Sequence, residues 1–177
     1  AKALGCEASR EGVAGKLNNL AASAAEDLLT GFALPVGMMR TPEKWSRHPQ
    51  SLALSELPLI EIERIGDSPP IEFKSNPRRP MEGVRVLEMT KVIAGPVIGR
   101  TLAEHGAEIL WINGPQLDVI EALVLDMSRG KHPTEIDLRH QNGRSKLREL
   151  AAEADVFIQG YRPGSIASRG FSPEDLS

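Results

Sequence analysis

Residues 84–112, VRVLEMTKVIAGPVIGRTLAEHGAEILWI, decide the fold. Val84-Arg-Val-Leu-Glu-Met89, with four apolar residues in six, reads as a strand. A turn, Thr90-Lys-Val-Ile-Ala-Gly95, leads to Pro96, whose fixed φ suits the first turn of a helix. The helix expected over Pro96–His105 stops at Gly106, a residue able to take the left-handed conformation that closes a helix. Glu108-Ile-Leu-Trp-Ile112 is then a second strand. Strand, helix and strand within about 30 residues make a βαβ unit, and its right-handed crossover sets the two strands parallel.

The pattern continues toward the C-terminus. A poorly patterned stretch is followed by a short strand at Thr134-Glu-Ile-Asp-Leu138. A helix is expected over 143–154, with Leu147, Leu150 and Ala151 on one face, and a further strand at Asp155-Val-Phe-Ile-Gln159. The last residues, Phe171-Ser-Pro-Glu-Asp-Leu-Ser177, carry an N-cap serine, a proline at the first helical position and acids in the first turn, so a helix begins there. Alternating strands and helices identify residues 81–177 as an α/β, Rossmann-like parallel-sheet unit, incomplete and expected to be part of something longer. An open sheet cut short leaves strand edges and apolar faces uncovered, so this chain by itself is expected to be oligomeric or marginally stable.

Toward the N-terminus the rhythm changes. GDSPPIEFKSNPRRP, residues 66–80, has four prolines and reads as an extended linker. Residues 1–65 are expected to be a small α+β segment. Leu17, Leu20, Ala21, Ala24 and Leu28 recur at helical spacing, predicting an amphipathic helix over 15–30. Phe32 to Met38 is a candidate strand or turn. Thr41-Pro42 opens a helix running through Trp45 to about Ser55, and Leu59-Ile-Glu-Ile-Glu63 alternates like a half-buried strand. Residues 1–80 hold 10 basic and 10 acidic side chains and residues 81–177 hold 11 and 14, so the net charge of −3 lies in the second part.

Composition narrows the function. With 21 Lys+Arg against 24 Asp+Glu in 177 residues, there is no basic footprint for nucleic acid. No run approaches the roughly 18–20 apolar residues of a membrane span. The single cysteine, Cys6, can form no internal disulfide, so a reducing, cytoplasmic setting is the default expectation, with an organelle such as a mitochondrion or peroxisome left open. His48, His105, His132 and His140 have no metal-ligand spacing. His105 is expected to bond helix-end carbonyls. No nucleophile elbow is present.

Three segments could carry chemistry. The loop opening the helix at Pro96 aims backbone N–H groups and a partial positive charge outward, although with Gly95 alone it matches neither a dinucleotide fingerprint nor a P-loop and is equally a plain βα turn. Ser128-Arg-Gly-Lys-His132 is a basic turn in which Arg129 and Lys131, expected to be exposed, could meet phosphates or simply be solvated. Gly160-Tyr-Arg-Pro-Gly164 follows the last strand, where open α/β sheets bind ligands; Tyr161 offers a ring and Arg162 a cation, and the alternative is a structural turn. Together they suggest a nucleotide-sized, phosphate-tolerant half domain without a reaction.

MEGVRVLEMTKVIAGPVIGRTLAEHGAEIL, SRGKHPTEIDLR and EADVFIQGYRPGSIASRGFSPEDL resemble, in order and spacing, the N-terminal half of class III CoA-transferases. This CaiB/BaiF-type family includes the α-methylacyl-CoA racemases. The resemblance covers about residues 80–177. It implies a Rossmann-like large domain that binds CoA along its surface, a small domain, and two chains interlocked as a dimer. It implies CoA transfer between an acyl-CoA thioester and a carboxylic acid, through an aspartate that carries acyl groups as mixed anhydrides and CoA as a thioester. Racemase relatives instead move the α-proton of an acyl-CoA with an Asp/His pair. CoA and acyl-CoA are substrates in such proteins, with no tightly bound cofactor expected.

On matching positions, the resemblance places Val92, Ile93 and Ala94 beside CoA. It aligns Arg129 and Lys131 with a basic turn, and Gly160, Tyr161 and Arg162 with contacts to the nucleotide or pantetheine portion. Trp111-Ile-Asn-Gly-Pro stands where the family has a Lys-Val-Glu type run; Ser128 and Gln159-Gly160 also depart from it. The catalytic aspartate lies several dozen residues past the Arg-Pro-Gly turn, so no residue of this chain takes that role. By itself the chain is expected to be a CoA-binding portion of an active parent. GFALPVGMMRTPEKWSRHPQSLALSELPLIEIERIG resembles the family's small-domain segment, which ordinarily follows the large-domain half. Its position implies two tandem units, the second of which could be degenerate and serve assembly alone. An unrelated nucleotide-binding module and an unrelated N-terminal extension are the remaining alternatives.

Overall fold

The computed structural model describes all 177 residues, and the chain divides into two compact units, Ala1–Ile62 and Glu63–Ser177.

The first unit is helical. Helix α1, Arg10–Leu17, is capped by the Ser9 hydroxyl, which accepts from the Gly12 N–H at 3.1 Å. Helix α2 spans Ala22–Gly31. The single helix expected over 15–30 is therefore broken. Asn18 and Asn19 end α1, and the Asn19 side-chain amide donates to the Gly15 carbonyl at 2.8 Å, diverting a helix-end acceptor. Thr41 caps helix α3, Pro42–Ser46, accepting from the Lys44 N–H at 3.3 Å. Helix α4, Pro49–Ser55, starts anew because His48 precedes a proline and takes an extended conformation, ψ 138°. The expected strand at Leu59–Glu63 does not form. Leu59 is 100% exposed and Ile62 91%, and no strand in this unit is available to pair with them, so the α+β expectation for this segment is corrected to α. Glu26 holds the unit's one cross-link between distant positions, accepting from the Met38 N–H at 2.8 Å and pairing with Arg40.

In the second unit, residues 63–80 form no helix or strand. Four parallel strands follow: β1 (Arg85–Met89), β2 (Glu108–Asn113), β3 (Lys131–Glu135) and β4 (Val156–Gln159), in the order β3-β2-β1-β4. Helix α5 (Ala94–Glu104) links β1 to β2, α6 (Glu121–Met127) links β2 to β3, and α7 (Gln141–Ala151) links β3 to β4. After β4 come a single 3₁₀ turn at Ala167–Arg169 and helix α8 (Pro173–Leu176), closed by a capping box between Ser172 and Asp175. The parallel α/β unit expected from the sequence is present, but its third strand, expected at Thr134–Leu138, lies three residues earlier at Lys131–Glu135, because the backbone from Lys131 is the stretch that pairs with β2 from Ile109. Helix α6 lies in the stretch whose sequence pattern indicated nothing.

The pleat of β1 sends alternate side chains to opposite faces. Val86 packs with Ala103, Ala107 and Ile109 beneath α5, while Leu87 and Met89 join Ile112, Leu147 and Phe171 beneath α7. Helix α5 ends as its sequence indicated. Gly106, at φ 103°, donates to the Ala103 carbonyl, and Ala107 donates to that of Leu102, both at 3.0 Å. His105 contributes its backbone N–H there; no side-chain bond to the helix end forms.

Candidate functional site

β1 has β2 on one side and β4 on the other, so the connections leaving β1 and β4 diverge at the carboxyl edge of the sheet. Such a divergence opens a crevice in which α/β sheets bind ligands. Here it is bounded by residues 90–95 after β1 and 160–164 after β4. The Gly160 N–H donates to the Met89 carbonyl at 3.2 Å, extending the β1–β4 ladder to the start of the second loop, where Gly160 stands beside the Thr90 side chain. Val92, Ile93 and Ala94 thus follow β1 and Gly160, Tyr161 and Arg162 follow the adjacent β4, so six of the eight residues singled out from the sequence leave the same edge of the sheet.

The first loop turns sharply. Val92 sits at φ 69°, a strained value for a β-branched residue, and both Val92 and Ile93 expose about half their surface. Ile93 is the N-cap of α5 and supplies no side-chain cap, so the Ala94 and Gly95 N–H groups have no hydrogen-bond partner in the chain. In the second loop the Gln159 side chain accepts from the Tyr161 N–H at 3.0 Å. The Tyr161 ring packs partly against the α7-side core, and burial pushes its hydroxyl above the ordinary value. Arg162 is exposed and makes no ion pair. On the other side of loop 90–95, a cavity of about 300 Å³ is lined by Val92, Trp111, Asn113, Val119, Ile120 and Leu123. Lys91 reaches across it to the Asp118 carbonyl.

Lys131 and Arg129 behave differently from expectation. Lys131 is the first residue of β3, level with Ile109 of β2, and its side chain runs along the sheet rather than out of it. Its ammonium lies 2.7 Å from Glu88 Oε2, donates to the Pro96 carbonyl at 2.8 Å and stands 5.0 Å from the centre of the Trp111 ring. Neither the Lys131 nor the Glu88 side chain exposes any surface. The expected exposed phosphate contact at Lys131 is thus corrected: apolar walls and a carboxylate hold the ammonium inside. Arg129 is exposed but precedes β3, so it enters at the amino edge of the sheet, away from the two loops, where it lies 3.6 Å from Asp126.

Sequence reasoning missed Glu88, Thr90 and Trp111. The Thr90 hydroxyl donates to Glu88 Oε1 at 2.5 Å, and the Trp111 indole N–H donates to the Thr90 carbonyl at 3.1 Å. Burial pushes Glu88 upward and Lys131 downward from their ordinary pKa values, against the opposing pull of the ion pair. A glutamate inside an apolar strand was the available signal, since a buried charge requires a partner. Two glycines of α5 make room for this group. A Cβ on Gly95 would stand 2.4 Å from the Thr90 side chain, and one on Gly99 would stand 1.8 Å from Glu88 Oε2.

The profile described as CoA-transferase family III matches residues 81–177, the strands, helices and both loops above. The chain belongs to CoA-transferase family III. An acyl-CoA transferase of Gibberella moniliformis is 32% identical over 173 residues, 95% of this chain and 30% of that protein. An alpha-methylacyl-CoA racemase of Mus musculus is 34% identical over 96 residues, 54% of this chain and 24% of that one. The crystal structure of a CaiB/BaiF family protein from Brucella suis superposes with a TM-score of 0.51 at 31% identity, over 55% of this chain and 30% of that one. This family III chain therefore spans about a third or less of the relatives it matches. No helix of it is long and apolar enough to cross a membrane.

Proposed function

We propose that this chain supplies part of the CoA-binding surface of a longer protein that moves CoA between an acyl-CoA thioester and a carboxylic acid. The observation that supports the reading is the hydrogen bond from Gly160 to Met89 in a family III chain, since it starts loop 160–164 next to the strand that leads into the uncapped helix α5. Free N–H groups at Ala94 and Gly95 suit a carbonyl or phosphate oxygen. The exposed Val92 and Ile93 suit the pantetheine arm, the Tyr161 ring a flat or apolar portion, and Arg162 a phosphate. Lys131 and Arg129 take no part in this surface. No residue of the chain is given the acyl-carrying carboxylate, so the chain by itself binds and does not turn over. The parent is read as an oligomer, an interlocked dimer in the family pattern, working in the cytoplasm on CoA thioesters without a tightly held cofactor.

Residues 1–65 are read as a small-domain segment, 66–80 as a linker and 81–177 as the start of a second large domain. The Gibberella relative supports this tandem reading, since it aligns with 95% of the chain where the mouse racemase aligns with 54%. Racemisation is the second reading, supported by the 34% identity to that racemase. A non-catalytic assembly role for the unit is the third, favoured by Trp111-Ile-Asn-Gly-Pro.

Calorimetric titration with CoA is the test. Saturable binding weakened by Arg162→Ala and by Gly95→Val supports the reading. Absence of binding at millimolar CoA, or binding of ADP as tight as that of CoA, overturns it.

A further inference from the structure

The buried group under α5 is more than a patch of the core. One unbroken chain of contacts runs Trp111 Nε1 to the Thr90 carbonyl, Thr90 Oγ1 to Glu88 Oε1, Glu88 Oε2 to Lys131 Nζ, and Lys131 Nζ to the Pro96 carbonyl. It begins on β2, crosses β1, draws on β3 and ends in the first turn of α5. Residues 90 and 96, the two ends of the loop, are each gripped by it. Between them lies Val92 at φ 69°, a conformation that persists only where its surroundings impose it. The glycines at 95 and 99 bring the helix close enough to be reached. Glu88 Oε2 has no hydrogen bond in good geometry apart from this ion pair, so the arrangement is held together at a cost in desolvation.

We propose that Glu88 and Lys131 are positioning residues, an internal clamp that holds loop 90–95 in its strained form and keeps the first N–H groups of α5 aimed at the ligand. The clamp is a device of this chain's interior and touches no ligand. Its consequence for CoA rests on the function proposed above, whereas its effect on the loop does not.

The decisive variant is Glu88→Gln/Lys131→Met. Gln keeps the acceptor for Thr90, Met keeps the apolar stem over Trp111, and the bond to the Pro96 carbonyl disappears with no charge left buried. The readouts are peptide-level hydrogen exchange across 90–98, exchange across β2, the thermal midpoint, and CoA affinity. The clamp predicts an unchanged or higher midpoint and unchanged exchange in β2, but exchange across 90–98 faster by about 10-fold. CoA affinity falls by about 5- to 10-fold although stability is kept, because the loop must be reordered on binding. A merely structural role predicts that the loop and the affinity follow the midpoint, and that result overturns the proposal. If the double variant does not fold, Thr90→Val carries the test. It leaves the ion pair and cuts the bond to Glu88, and unchanged exchange across 90–98 in that variant likewise overturns the clamp. If wild-type chain binds no CoA, the functional reading falls while loop exchange still decides the clamp.

Discussion

The ammonium of Lys131 and the carboxylate of Glu88 meet at 2.7 Å with both side chains sealed from water, linking the start of β3 to the end of β1. Two charges taken out of water together cost desolvation that their attraction only partly returns, whereas removing one partner strands the other. Lys131→Met alone is expected to lower unfolding free energy by about 3–5 kcal/mol, while Glu88→Gln/Lys131→Met stays at or above wild type. Urea unfolding of the three proteins checks this. A double variant as weak as the single one would falsify it.

The same pair sets a pH dependence. Burial raises Glu88 above its ordinary 4.5, so just above that pH the native chain keeps a proton that the unfolded chain has released, and stability falls as pH rises through the window. Burial lowers Lys131 below 10.5, so just under that pH the native chain has lost a proton that the unfolded chain retains, and stability rises with pH. Wild type is therefore expected to be least favoured relative to Glu88→Gln/Lys131→Met between the two windows, around neutral pH. Thermal melts of both proteins across the range should show that trough; a difference independent of pH would count against it.

In the first unit, hydrogen bonding to Arg40 and to the Met38 N–H depresses the Glu26 pKa to about 2. Its contribution is present above 4.5 and is lost as pH falls toward about 2. Carbon NMR of the Glu26 carboxyl should titrate far below the other glutamates, and Arg40→Ala should return it toward the ordinary range. An unchanged midpoint in that variant would remove the pairing.

Two glycines in helices should respond oppositely to alanine. Gly99→Ala places a methyl where Glu88 Oε2 already sits, and α5 must lift from the sheet at a cost of about 1–3 kcal/mol that outweighs the helix-propensity gain. Gly15→Ala in α1 meets no atom within 4 Å, so only the gain of about 0.5–1 kcal/mol remains. Paired melting curves would show shifts of opposite sign.

Leu147 of α7 is 0% exposed against Leu87 and Ile112. Leu147→Ala is expected to cost about 2–5 kcal/mol, depending on how far the site collapses. A loss under about 1 kcal/mol in urea unfolding would mean that α7 is not seated on the sheet as described.

Arg162→Ala should leave the melting temperature unchanged, since the side chain is exposed and unpaired. CoA affinity should fall by about 10-fold, the worth of roughly one charge-assisted bond. Equal affinity in titrations of the two proteins would withdraw Arg162 from the site.

The elements legible in the sequence are those whose start, stop and face are all local. β1, α5 and β2 were readable because a mostly apolar strand, a proline in the first turn of the helix and Gly106 at its exit stand in order, and the bonds of that exit are made by adjacent residues. α8 was readable for the same reason, through Ser172 and Asp175. Where local signals compete, periodicity alone misplaces the element. Asn18 and Asn19 divert backbone bonds that helical spacing alone assigns to one long helix, and His48 cannot stay helical before Pro49. Leu59 to Glu63 alternates correctly but finds no neighbouring strand, and alternation without a partner makes no sheet.

By itself the sequence determined the βαβ unit of residues 84–112, the helix and strand that end at Gln159, and the motifs that mark family III, because each is written in neighbouring residues. The tertiary structure alone decided what the charged residues do. Sequence spacing puts Lys131 in a basic turn with Arg129, but strand pairing sets it level with Ile109 and sends its stem along the α5 face to Glu88, 43 positions earlier. Which charge meets water and which meets a carboxylate follows from sheet order and from the closeness that Gly95 and Gly99 allow, and those are properties of packing between segments far apart in the chain.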